Sequence, residues 1–178
     1  MNFKKLFSAA LGLMAFSSVM SAQNDAPSWM RYCSISPDGT TIAFTYKGDI
    51  YTVPVEGGLA RQITTNPAYD TYPVWSPDGS RIAFSSNRMG SNDVFIISKD
   101  GGTAVRLTTH SGGERPIAFK DNNTLLFSAF IMPDAESMQF PSSQFYQIYS
   151  VNTQGGRPQM FSSLPLEDIC FSQDGKYF

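Results

Sequence analysis

Histidine, cysteine and charge are all scarce in this chain of 178 residues, and each shortage closes off a chemistry. A nucleophile needs a base within hydrogen-bond reach, yet His110 is the sole histidine. It follows Leu107-Thr108-Thr109 just as Asn66 follows Ile63-Thr64-Thr65, so it reads as a turn residue. Cys33 and Cys170 are the only cysteines, with no histidine at metal-ligand spacing beside them. Charged residues make up 16% of the chain, below the usual quarter or so. No basic cluster stands out, which excludes nucleic acid as a partner. The Gly-Gly pairs lack the Lys-Ser/Thr that follows a phosphate-binding loop. Nothing in the sequence calls for a cofactor or a metal, and it carries no recognisable catalytic constellation.

What the chain has in quantity is repetition. Ser76-Pro77-Asp78-Gly79-Ser80-Arg81-Ile82-Ala83-Phe84 stands forty positions after Ser36-Pro37-Asp38-Gly39-Thr40-Thr41-Ile42-Ala43-Phe44. A looser copy runs from Ile117 to Phe127, with Lys120-Asp121-Asn122-Asn123 in place of the turn. A fourth opens at Ile169-Cys170-Phe171-Ser172-Gln173-Asp174-Gly175. Proline presets φ, aspartate bonds its own backbone and glycine supplies positive φ, so each Ser-Pro-Asp-Gly is a turn between strands. A third strand follows in each copy (Ile50–Val53, Val94–Ser98, Gln147–Val151). Then come a glycine hairpin and a fourth strand, Arg61–Thr64, Val105–Thr108 or Gln159–Phe161.

Four antiparallel strands repeated at this interval predict an all-β chain, a β-propeller of four-stranded blades. Three blades, at about 31–70, 71–114 and 115–167, and the start of a fourth at 168–178 are expected after a lead-in over 23–30. Met1–Ala22 reads as a secretory signal: Lys4 and Lys5, an apolar core from Leu6 to Phe16, then small residues. That core is short for a membrane span, so an exported, periplasmic protein is expected. Of 13 basic residues, removing Lys4 and Lys5 leaves 11 against 15 acidic. Phe178 aligns with Ile42 in mid-strand, which suggests a truncated reading frame. Three open blades would expose apolar faces and are not expected to fold alone.

Between the second and third strands the third blade carries an insertion, roughly Ile131 to Phe145. Its Met132, Met138, Phe140 and Phe145 are candidates for a substrate or partner contact. The more ordinary reading is that they pack over their own blade or on a further domain. Asp70, Glu114 and Glu167 each precede the first strand of a blade, on the rim shared with the insertion. There they would select a cationic end of a peptide, or else cap turns or pair with Arg115 and Arg31. Cys33 and Cys170 fall in first strands far apart around a ring, so two buried thiols are expected in place of a disulfide.

Trp29-Met30-Arg31-Tyr32 leading into Ile35-Ser36-Pro37-Asp38-Gly39, then Tyr46-Lys47-Gly48-Asp49-Ile50-Tyr51, resembles the start of tricorn-type proteases. So do Leu107-Thr108-Thr109-His110-Ser111 with Glu114 and Pro116, and the insertion ending near Phe140-Pro141-Ser142-Ser143. The resemblance covers essentially the whole chain after the signal. It implies a serine peptidase whose N-terminal propellers admit peptides or unfolded protein to a PDZ-like and a catalytic domain of the same protein. It also implies assembly into a homo-oligomer, as in the archaeal form. None of the family's catalytic positions falls in this chain, and the third copy departs from the blade signature at Lys120–Asn123. Two other families share the blade signature. One resembles the Tol-system translocation protein, a non-catalytic binding propeller that follows an α/β domain. The other is the prolyl-oligopeptidase-like enzymes, whose hydrolase domain would carry a Gly-x-Ser-x-Gly elbow.

Overall fold

The computed structural model of the chain describes residues 29–110, 112–130, 146–162 and Ile169. The expected signal at 1–22, most of the lead-in, the insertion and Glu167 lie outside the described residues. Among the described residues, twelve strands form three separate four-stranded antiparallel sheets, each in the order of the chain. The first blade holds β1 (Arg31–Ile35), β2 (Thr41–Tyr46), β3 (Asp49–Pro54) and β4 (Arg61–Gln62). The second holds β5 (Asp70–Trp75), β6 (Arg81–Ser86), β7 (Asp93–Ser98) and β8 (Val105–Arg106). The third holds β9 (Glu114–Asp121), β10 (Thr124–Phe130), β11 (Tyr146–Asn152) and β12 (Gln159–Ser162).

The Ser-Pro-Asp-Gly turns close as their chemistry dictates. Ser36 and Ser76 donate their hydroxyls to Asp38 and Asp78, and each aspartate also accepts the backbone N–H two residues on. These bonds hold the Asp78 carboxyl down at about 2, with the Ser76 hydroxyl the largest cause. Gly39 and Gly79 take up φ of +72° and +66°, where a side chain would be strained. The third copy replaces this device with a two-residue turn at Asn122–Asn123, in which Asp121 accepts the Asn123 N–H at 2.8 Å.

The core lies between blades. On β2 and β6 the central alanine faces the following blade, and Phe84 on β6 and Phe127 on β10 face the preceding one. Ala43 packs with Phe84, Trp75, Phe95 and Ile97 of the second blade. Ala83 packs in turn with Phe127, Phe119 and Leu125 of the third, and Leu126 with Ile148 and Ile169. Phe84 and Phe127 are almost fully enclosed, and burying each contributes about 2 to 3 kcal/mol. Trp75 completes the first joint by donating its indole N–H to the Ser34 carbonyl at 3.1 Å.

Two expectations are corrected. The fourth strands are only two residues long in the first two blades. Thr64 and Thr108 end them by offering a side-chain hydroxyl, instead of a backbone carbonyl, to the N–H of Ile50 and Val94. Cys33, expected to be buried, is exposed with a free thiol, because it sits in a bulge of the innermost strand described next. Cys170 lies outside the described residues.

Candidate functional site: an inner aromatic wall and two buried acid joints

The first strands β1, β5 and β9 lie side by side along the inner wall, and all three are bulged at the same place. In the first blade Tyr32 and Cys33 together oppose Phe44; in the second Tyr72 and Pro73 together oppose Phe84. In the third Ile117 is the extra residue, between Pro116 and Ala118. Tyr32 and Tyr72 hold φ of +54° and +55°, a left-handed backbone that costs a bulky side chain of order 1 kcal/mol or more. Their rings lie 3.9 Å apart between centroids, and the Arg115 guanidinium stands 5.1 Å from the Tyr72 ring. A hydrogen bond with Tyr32 raises the Tyr72 hydroxyl above its ordinary value. Together they line a concavity with Ser34, Val74 and Pro116.

Asp70 and Glu114 do stand at the head of β5 and β9, but both are buried and neither lies open on the rim. Asp70 is fully enclosed, with both oxygens 2.9 to 3.0 Å from the Arg88 guanidinium. Arg88 also lies over the rings of Phe95 and Phe84, at 4.6 and 5.3 Å, and bonds the Ser86 hydroxyl through Nε. Across this joint Asp49 accepts from Gln62 and Thr64, and burial raises its carboxyl.

The second joint repeats the plan with its arginine moved. Asp93, fully buried, pairs with Arg106 at 2.9 Å. Thr108 donates its hydroxyl to Glu114, whose carboxyl is pushed up to about 7, chiefly by burial and further by the Asp93 charge. Each of these two clusters therefore holds two acids and one arginine, but the arginine serves Asp70 in the first and Asp93 in the second. Of the other residues singled out from sequence, Met132, Met138, Phe140, Phe145 and Glu167 lie outside the described residues. His110 is an exposed turn residue, as its repeat position implied, accepting the Gly112 N–H on Nδ1. Tyr32, Tyr72 and Arg88 were not singled out; the forty-residue spacing of the two tyrosines was the available signal.

Stacked four-stranded blades with bulged inner strands and interblade cores define a β-propeller. Residues 27–178 match the family model of the tricorn protease N-terminal β-propeller domain, and the chain belongs to that family. It is 36% identical over 93 residues to Tricorn protease homolog 1 of Streptomyces coelicolor, covering 52% of this chain and 8% of that protein. It is also 38% identical over 71 residues to a TolB homolog of Chlorobium luteolum, covering 40% of this chain and 16% of that one. The chain thus spans a small part of these curated relatives. Among solved structures it superposes on TolB from Acinetobacter baumannii with a TM-score of 0.64 at 19% identity, over 83% of this chain and 36% of that one. It superposes on the tricorn protease with 0.51 at 15% identity, over 69% of this chain and 13% of the other. At such identities these two superpositions speak for the fold alone.

Proposed function

We propose that this chain is the N-terminal propeller of an exported, periplasmic tricorn-like serine peptidase. In that role it gates or scaffolds peptide and unfolded-protein substrates for PDZ-like and catalytic domains elsewhere in the same protein, which would work as a homo-oligomer. The single observation that carries this reading is the family match over residues 27–178. The inner wall is consistent with it, since Tyr32, Tyr72 and Arg115 present flat, hydrogen-bonding surface to anything passing along the axis. The proposed layout is a signal over 1–22, a lead-in over 23–30, and blades over 31–70, 71–114 and 115–167, with a fourth from 168. Met132, Met138, Phe140 and Phe145 of the insertion are assigned to the contact with substrate or a neighbouring domain.

The test is peptidase activity of the full-length protein with the inner wall narrowed by Ser34→Trp. Hydrolysis of an unfolded protein such as reduced casein should slow more than that of a short chromogenic peptide. Equal slowing of both would refute gating. The TolB-like stretch supports a second reading, a non-catalytic binding propeller. Complete absence of peptidase activity from the full-length wild type would favour it.

A further inference from the structure

The two inner-wall tyrosines lie closer together than aromatic packing asks of them. Ring pairs in proteins settle about 4.5 to 7 Å apart between centroids, whereas Tyr32 and Tyr72 stand 3.9 Å apart at 34°. Their hydroxyls are hydrogen-bonded to each other, and the Tyr72 oxygen also accepts from the Arg115 guanidinium. With the oxygens in contact and the ring centres this close, the ring carbons beside the two hydroxyls lie against each other. By contrast Tyr46 and Tyr51 meet edge-on, 5.9 Å apart at 77°.

The backbone is strained where this contact is made. Tyr32 and Tyr72 are both left-handed, each at the bulge of its own blade. A bulge alone does not demand it: β9 makes the same bulge at Ile117, and no residue from Arg115 to Ala118 has positive φ. An outlier that the sheet does not need points to the contact it makes. Both rings are also within reach of small solutes. Tyr32 is 38% exposed and Tyr72 half-buried, on the concavity they share with Cys33 and Ser34.

We infer that Tyr32 and Tyr72 form an oxidative crosslinking site, at which the two phenols couple into a dityrosine that joins the first two blades at the inner wall. Each phenol gives up one electron and its hydroxyl proton, leaving two phenoxyl radicals. The radicals form one carbon–carbon bond between the positions beside their oxygens. The hydrogens on those two carbons then move to the oxygens and restore both phenols. In all, the pair loses two electrons and two protons, which a peroxide acting in one-electron steps takes up to leave as water. Between free phenols this coupling needs an encounter; here the partners are already in place, so it outruns reaction with solvent. The inference rests on no part of the function proposed above.

The test is one-electron oxidation of the full-length protein in dilute solution by light and ruthenium trisbipyridine, with persulfate as the final electron acceptor. Dityrosine fluorescence should appear in the single-chain band of a denaturing gel. A tryptic digest should contain peptides 32–47 and 62–81 joined with the loss of two hydrogens. Fragmentation should place the link at Tyr32 and Tyr72, and not at Tyr46 or Tyr69, which share those peptides. Tyr32→Phe and Tyr72→Phe, which keep the ring, should each cut the yield of the joined peptide by about tenfold or more. Tyr46→Phe should leave it unchanged. Wild type oxidised in unfolding urea should lose the link to the same extent, which tests the geometry without any variant. A link that survives Tyr32→Phe or Tyr72→Phe, or an equal yield from the unfolded chain, would overturn the inference. So would oxidation of both tyrosines to catechols, or their coupling to other chains, with no link between them.

Discussion

Glu114 makes the stability of the second joint depend on pH in a direction opposite to most carboxylates. Its folded carboxyl titrates at about 7 against an ordinary 4.5, so the folded chain holds a proton that the unfolded chain has released. Below pH 4.5 both states are protonated and the joint is at full strength. Between 4.5 and 7 stability falls as pH rises, and above 7 it is level. The gap corresponds to about 3 kcal/mol. No discount for solvent screening applies, because Glu114 is 3% exposed. Glu114→Gln carries no titrating proton and still offers an oxygen to the Thr108 hydroxyl. At pH 4.5 the variant should match the wild type to within about 1 kcal/mol. At pH 8 it should be more stable by about 2 to 3 kcal/mol. Urea midpoints of both proteins, taken from pH 4.5 to 8.5, give the difference directly. Contributions from carboxylates remote from Glu114 cancel in that difference. A wild-type-minus-variant difference that stays flat across that range would refute the reasoning, since burial would then not be holding the proton.

Three further outcomes follow from the same geometry. Asp70→Ala leaves the Arg88 charge half-buried between two rings and should cost about 3 kcal/mol in a thermal melt, while Asp70→Ala with Arg88→Met should recover much of it. Asp78→Ala removes a turn carboxylate held at about 2. Its stabilisation is present above pH 3.8, is lost as pH falls toward 2, and amounts to about 1 kcal/mol once solvent screening is allowed for, so the variant should lose its deficit in acid. Tyr72→Gly relieves a left-handed tyrosine but loses the Tyr32 and Arg115 contacts; a stability within about 1 kcal/mol of wild type, read by urea midpoint, is expected from that offset.

The blades were legible because their turns are local chemistry. Ser76, Asp78 and Gly79 determine one hairpin among themselves, so a forty-residue repeat of those letters is a repeat of structure. Fourth-strand ends were not legible, since Thr108 looks like one more strand residue until its hydroxyl takes the Val94 N–H. Asp70 and Glu114 stand at the heads of β5 and β9, where the repeat put them, but their environments were not foreseeable. Asp70 is buried because Arg88, eighteen residues away in sequence, folds back over Phe84 and Phe95. The inner-wall tyrosines were hidden for another reason. A bulge is a mismatch between two strands, and neither strand announces it alone.

The moved arginine also works as an address. A third blade stacked directly on the first would bring Glu114 to Asp49 and Gln62, two acids with no guanidinium between them. The phenylalanine-into-alanine packing would accept that mistake, because Ala43 and Ala83 are the same hole and Phe84 and Phe127 the same knob. The buried charges would not, at a cost of several kcal/mol for an unpaired ion. The apolar core makes the faces that Ala43 and Ala83 offer interchangeable, and the arginine beside each buried acid tells them apart.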